Sequence, residues 1–242
     1  MKICVAQTRP ITGDIARNIE RHKAFVATAV SHQANLIIFP ELSLTGYEPT
    51  LAQALAIQPD DPRLDVFQTL ADTGQIMIGV GAPTQNQSRP CISLIIFQTN
   101  RPRQLYTKHY LHEDELPFFT SGERVSGLVG DKNEVALAIC YELSVPQHAA
   151  AAAGSGAAIY IASVAKFVNG MEKANKRLAE IARQHHMTVF MANCIGPADG
   201  AECAGQSAVW NCEGTLVARL DVRNEGVLIF DTVTETFIQE MI

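Results

Sequence analysis

Residues Val135–Gly154 read VALAICYELSVPQHAAAAAG. Val135-Ala136-Leu137-Ala138-Ile139 is a short, unbroken apolar run of the kind a buried strand carries. The Ala-rich segment after it favours helix. Cys140 therefore stands at a strand-to-helix turn, on a rigid support. Backbone N–H groups of such a turn lower a thiol's pKa and bind a developing oxyanion. This is the place for a nucleophile, although an inert buried thiol is the commoner fate of a cysteine.

The same alternation of strand and helix extends both ways. Lys2–Thr8 reads as a strand. Asp14 or Thr12 can cap a helix reaching about Ser31, with Ile15, Ile19, His22, Val26 and Val30 along one side. Leu36–Phe39 is a short apolar strand that Pro40 stops, and Glu41 follows at its exit. This opening requires at least two parallel strands. Leu64–Thr73 is a helix, Ile76–Ala82 a buried strand, and Ile92–Gln98 with Gln104–Lys108 a hairpin turned at Thr99-Asn100-Arg101-Pro102. Beyond Cys140 come a strand at Ala157–Ser163, a helix from about Gly170 to His186, and a strand at Thr188–Asn193. Three short strands follow, at Ser207–Trp210, Thr215–Leu220 and Gly226–Phe230. With no linker, repeat or low-complexity tract, residues 1–242 read as one α/β domain of two sheets with helices outside.

Composition narrows the function. The hydrophobic fraction of 47% supports a sizeable core. A formal net charge of -6 and the lack of a Lys/Arg run argue against a nucleic-acid partner. No stretch approaches the roughly 20 apolar residues of a membrane span. MKICVAQTRPITGD has no signal-peptide core. A cytoplasmic chain is expected, with its six cysteines reduced.

Three polar residues stand beside Cys140: Glu41 in FPELSLTGY, Lys108 in LYTKHYL and Glu115 in HEDELPFFTSGE. Each has a plain structural explanation, as a helix cap, a solvated strand end and part of a surface acid cluster respectively. Together they supply what thiol chemistry needs. A carboxylate takes the thiol proton and returns it to the leaving group, and an ammonium stabilises the oxyanion.

These segments resemble the nitrilase superfamily of carbon–nitrogen hydrolases. FPELSLTGY is similar to its glutamate motif. YTKHYL with ELPFFTSG is similar to the lysine motif and second glutamate, and VALAICYELSVPQ to the cysteine motif. ANCIGPADGAECAGQSAVWNCEGTLVA is similar to the segment that follows. The resemblance covers nearly the whole chain. It implies a four-layer α-β-β-α sandwich with two mixed β-sheets. Glu41 would be the general base, Lys108 the oxyanion-stabilising lysine, Cys140 the nucleophile and Glu115 the supporting glutamate, with Glu113 and Asp114 as its neighbouring rivals. The Tyr141 N–H would join the oxyanion hole. No metal or organic cofactor is implied, and a homodimer is expected from the family. The substrate would be a small molecule with an amide-type bond, bound near Tyr47, Phe119, Ser163 and Lys166. Arg124 and Lys166 could hold a substrate carboxylate.

The chain also departs from the family pattern. The residue after Cys-Tyr is commonly Asp and here is Glu142, Val145-Pro146-Gln147 replaces Phe-Pro-Glu, and Cys91-Ile92-Ser93 replaces a Tyr-Asn-Ser-type strand. Other readings stay open. A Cys–His hydrolase would need His148, two turns along the next helix and directed away from the thiol. His109-x-x-His112-Glu113 has metal-ligand spacing without a clear fourth ligand. A silent binding module or an acyltransferase could carry the same residues.

Overall fold

The structure is a computed structural model that describes residues 1–123, 127–130, 132 and 134–242. In chain order its elements are β1 (Lys2–Gln7), α1 (Ile15–Ser31), β2 (Leu36–Ile38), α2 (Ala52–Leu55), α3 (Asp65–Gly74), β3 (Met77–Thr84), β4 (Cys91–Phe97), β5 (Gln104–Thr107), β6 (Leu128–Val129) and β7 (Val135–Ile139). Then come α4 (Pro146–Gly154), β8 (Ile159–Val164), α5 (Met171–His185), β9 (Thr188–Asn193), β10 (Ile195–Ala198), β11 (Ala201–Ala204), β12 (Ala208–Trp210), β13 (Leu216–Arg219), β14 (Gly226–Asp231) and β15 (Phe237–Met241). Asp14 caps α1 by accepting the Arg17 N–H.

Among the described residues the strands form two large sheets and one small hairpin. The first sheet runs β15-β14-β1-β2-β3-β4-β5, and the second β13-β12-β9-β8-β7-β6. Each is mixed. β1, β2 and β3 are parallel, as are β7, β8 and β9, and antiparallel strands extend both groups.

Side-chain alternation explains the layering. Ile3, Val5, Leu36, Ile38, Leu94 and Ile96 face Leu137, Ile139, Ile161 and Phe190 in the core between the sheets. The intervening Cys4, Ala6, Ile37, Ile78, Ile95 and Phe97 turn outward against α1 and α3. Ala136, Ala138, Tyr160, Ala162 and Val189 turn outward against α4 and α5. Strands covered on both faces must be apolar at every position, which is why these segments read as continuous runs. The result is the four-layer α-β-β-α sandwich expected from the sequence.

The short α2 and β6, the β10–β11 hairpin and β15 escaped the sequence reading. β10 and β11 form a separate hairpin whose turn, Asp199-Gly200, has positive φ at both residues, the signature of a tight type I′ turn. The tail beyond Phe230 adds β15 to the outer edge of the first sheet.

Candidate active site

Glu41 sits on a turn built against one glycine. The ladder from β2 continues as Phe39 N–H donates to the Gly79 carbonyl, and Leu44 N–H donates to that of Gly81. Leu42 adopts a left-handed φ of 52°. A Cβ on Gly81 would lie 2.5 Å from both Leu42 N and the Pro40 oxygen. Only glycine lets the turn approach β3 so closely. Ser43 braces the turn from behind, accepting the Gly81 N–H at 3.2 Å and facing His22 Nε2 at 3.0 Å. Glu41 is not a helix cap. It points between the sheets, fully buried, and Oε2 accepts the Ala165 N–H at 3.2 Å.

Lys108 directly follows β5, and its N–H donates to Ile92 to extend the ladder with β4. Its side chain runs inward rather than to solvent and is fully buried. Nζ donates to Glu41 Oε1 and to Glu115 Oε1, each at 2.7 Å. Glu115 closes a 3₁₀ turn spanning Glu113–Glu115 and folds back to accept the His112 N–H at 2.8 Å. Its rivals Glu113 and Asp114 are exposed. Tyr47 donates its hydroxyl to Glu115 Oε1 at 3.0 Å.

Cys140 begins a 3₁₀ turn, Cys140–Ser144, directly after β7. Its φ of 42° lies in the left-handed region, where a side chain is strained. The thiol is close enough to Glu41, Lys108 and Glu115 to feel the charge of all three. Four side chains from the ends of β2, β5 and β7 and the Glu115 turn therefore meet between the sheets.

Burial sets the electrostatics. It raises the Glu41 pKa, an effect that Lys108 opposes and Glu115 reinforces. Burial, followed by the Glu41 charge, pushes the Cys140 thiol up to about 11, against the lowering influence of Lys166 and Lys108. Burial pulls Lys108 down, but Glu41, Cys140 and Glu115 outweigh it and leave its pKa raised. The resting arrangement is a protonated thiol, a firmly charged ammonium and a carboxylate of enhanced basicity.

The remaining expected residues surround this group in different ways. Tyr141 follows Cys140 on the turn, with its ring edge-on to His112 at 5.0 Å. Tyr47 packs edge-on against Phe167 at 6.2 Å. Phe119 is fully buried in the core between the sheets. Ser163 is buried and donates its hydroxyl to the Phe39 carbonyl at 2.8 Å. Lys166 is half-buried, and its backbone N–H donates to Asn193 Oδ1 at 2.8 Å. Arg124 lies outside the described residues. His148 turns away from the thiol towards Tyr106 and Tyr160. His109 Nδ1 lies 2.9 Å from the Gly122 carbonyl. Among the described residues no cluster of His, Cys, Asp or Glu could hold a metal ion. No helix there is long and apolar enough to cross a membrane.

Several supports were not read from the sequence. The Ala165 and His112 N–H groups orient the two carboxylates. The β10–β11 hairpin holds the Lys166–Phe167 segment, with Ala204 N–H donating to Lys166 O at 2.9 Å. The Asp199-Gly200 dipeptide was the available signal for that hairpin.

Comparison with known proteins identifies the fold and the family. A probable nitrilase of Schizosaccharomyces pombe is 24% identical over 94% of this chain and 87% of its own length. A glutamine-dependent NAD(+) synthetase of Aquifex aeolicus is 24% identical over 94% of this chain, which spans only 41% of that protein. An amidase from Nesterenkonia sp. AN1, solved as a cysteine-to-alanine mutant in complex with butyramide, shares the fold. Its TM-score is 0.87 at 22% identity, over 97% of this chain and 92% of the amidase chain. The carbon-nitrogen hydrolase model matches residues 2–239, and the chain belongs to that family, as an enzyme of the nitrilase superfamily.

Proposed function

We propose that this enzyme hydrolyses a small amide to a carboxylic acid and ammonia, through a thioester on Cys140. The observation that carries the reading is the Lys108 ammonium held at 2.7 Å from both Glu41 and Glu115, with the Cys140 thiol within reach of the charges of all three. A neutral buried thiol is a weak nucleophile, so its proton leaves to Glu41 as sulfur attacks the acyl carbon. The developing oxyanion takes hydrogen bonds from Lys108 and the Tyr141 N–H. Glu41 then protonates the departing amine, and ammonia leaves. Glu41 next draws a proton from water, which attacks the thioester, releases the acid and restores the thiol. Glu115, held by Tyr47 and His112, keeps Lys108 on station.

The butyramide bound by the Nesterenkonia amidase supports a small aliphatic substrate. Tyr47, Phe119, Ser163 and Lys166 are proposed to shape the acyl pocket, Phe119 and Ser163 by supporting its walls. A cytoplasmic homodimer is proposed on the family resemblance.

Ammonia release should be measured across a panel of small amides, N-carbamoyl amino acids and nitriles. Turnover is expected on aliphatic amides and should vanish in Cys140→Ala with the fold intact by circular dichroism. Amide turnover by a well-folded Cys140→Ala protein would refute the thioester. A response confined to carbamoyl compounds would move the reading to that subclass.

A further inference from the structure

We infer that Glu142 is a positioning residue that holds the Cys140 turn and the Lys108 segment in fixed relation, an inference that rests on the roles proposed above for those two residues. Glu142 is the site's departure from the usual Asp after Cys-Tyr, and its carboxylate is wholly buried. Such a group must be compensated by hydrogen bonds. Oε1 accepts the N–H of His109 at 2.8 Å and that of Tyr110 at 3.4 Å. Oε2 accepts the N–H of Ile139 at 2.8 Å and the hydroxyl of Tyr106 at 2.5 Å.

The positions of these donors make the arrangement specific. His109 is the residue after Lys108, at the end of β5 in the first sheet. Ile139 is the residue before Cys140, at the end of β7 in the second. One carboxylate thus ties together the two backbones that deliver the ammonium and the thiol. It reaches back three residues along its own turn and across to the facing sheet at once. Aspartate, shorter by one bond of about 1.5 Å, could serve one side but not both.

Oε2 is itself oriented by a buried relay. The Tyr106 hydroxyl donates to Glu142 and therefore accepts from His148 Nε2 at 2.9 Å. His148 Nδ1 in turn accepts from the Tyr160 hydroxyl at 2.9 Å. Burial lowers the His148 pKa, which fits this neutral tautomer, and Nε2 is also 3.6 Å from Glu142 Oε2. Tyr106 and His148 line a cavity of about 250 Å³ that none of Cys140, Lys108, Glu41 and Glu115 borders. The relay is accordingly a support, outside the path of the substrate.

The test compares Glu142→Asp, which keeps charge and loses reach, with Glu142→Gln, which keeps reach and loses one acceptor oxygen. Tyr106→Phe leaves the carboxylate itself in place. The readouts are kcat and KM per folded molecule, and the pH profile of Cys140 alkylation by iodoacetamide, which needs no substrate. In both Glu142 variants kcat should fall on the order of 10²-fold, as expected for misplacement by about 1 Å, with KM little changed. Their alkylation profiles should shift, and Tyr106→Phe should lose less. Folded Glu142 variants with wild-type kcat and an unchanged alkylation profile would overturn the inference. So would a Tyr106→Phe enzyme as impaired as Glu142→Asp. If one Glu142 variant does not fold, the other and Tyr106→Phe decide by the same criteria. Cys140→Ala is assayed in parallel: its activity would refute the nucleophile, whereas its inactivity beside unaffected Glu142 variants would refute only the positioning role.

Discussion

A thiol pushed up to about 11 by burial and by a facing carboxylate is not a stored thiolate. Activation must come from proton transfer during attack, and the base must be ionised beforehand. The Glu41 pKa is raised, so Glu41 binds its proton at a higher pH than an ordinary carboxylate. The acid limb of kcat/KM should therefore lie above the usual glutamate value of about 4.3. Activity is complete above that limb and lost as pH falls through it. A stopped assay of amide turnover against pH checks this, and a limb at or below the ordinary value would contradict it. Cys140 alkylation should keep climbing towards about 11 without a plateau near neutrality, unlike a cysteine paired with a protonated histidine.

At the scale of elements, catalysis depends on close approach. The Glu41 turn rests on the bare Cα of Gly81, where a methyl group would meet backbone atoms at 2.5 Å. Backbone cannot yield as a side-chain tip can. Gly81→Ala should cost about 1–3 kcal/mol of stability by overpacking. It should also lower kcat beyond any loss of folded protein, because the displaced turn carries Glu41, the proposed base. Thermal melts and kinetics on one preparation separate the two effects; an unchanged kcat would show that the turn tolerates the shift. This dependence marks how far the sequence could be read. Pro40 and Ile139 end strands in ways that local pattern reveals, so Glu41, Lys108 and Cys140 were legible at their tips. The need for glycine at 81 and for Glu142 between two sheets arises from segments distant in sequence, and local pattern carries no trace of it. The resemblance singled out Glu115 over Glu113 and Asp114, but local pattern gave no physical ground for that choice, which comes from the turn that directs only Glu115 inward to Lys108. β15 is exposed along its length, so it lacks the apolar run that revealed its buried neighbours.

The whole molecule has a buried sensor of acid behind the site. His22 on α1 is fully buried, stacked on Phe39 with ring centroids 4.0 Å apart, and Nδ1 donates to the Asn18 carbonyl at 2.7 Å. Burial, with a smaller push from Arg21, lowers its pKa from the ordinary 6.5 to about 3, despite the bond to Asn18. Between those values the unfolded chain binds a proton that the native protein refuses. Stability from this group is thus full above 6.5 and is lost as pH falls, by at most about 1.4 kcal/mol per pH unit. Urea denaturation at a series of pH values should show a shallower acid decline in His22→Gln, and equal slopes would contradict it.

The pairing of β1 with β14 has one further effect. Met1 and Thr232, 231 positions apart, are hydrogen-bonded, and β1 lies in the interior of its sheet. During translation β1 must wait, with one side unzipped, until the distant β14 has been synthesised. A gene cut at its midpoint would encode two pieces, each lacking a strand that only the other provides, and the pieces would have to find one another to become a protein.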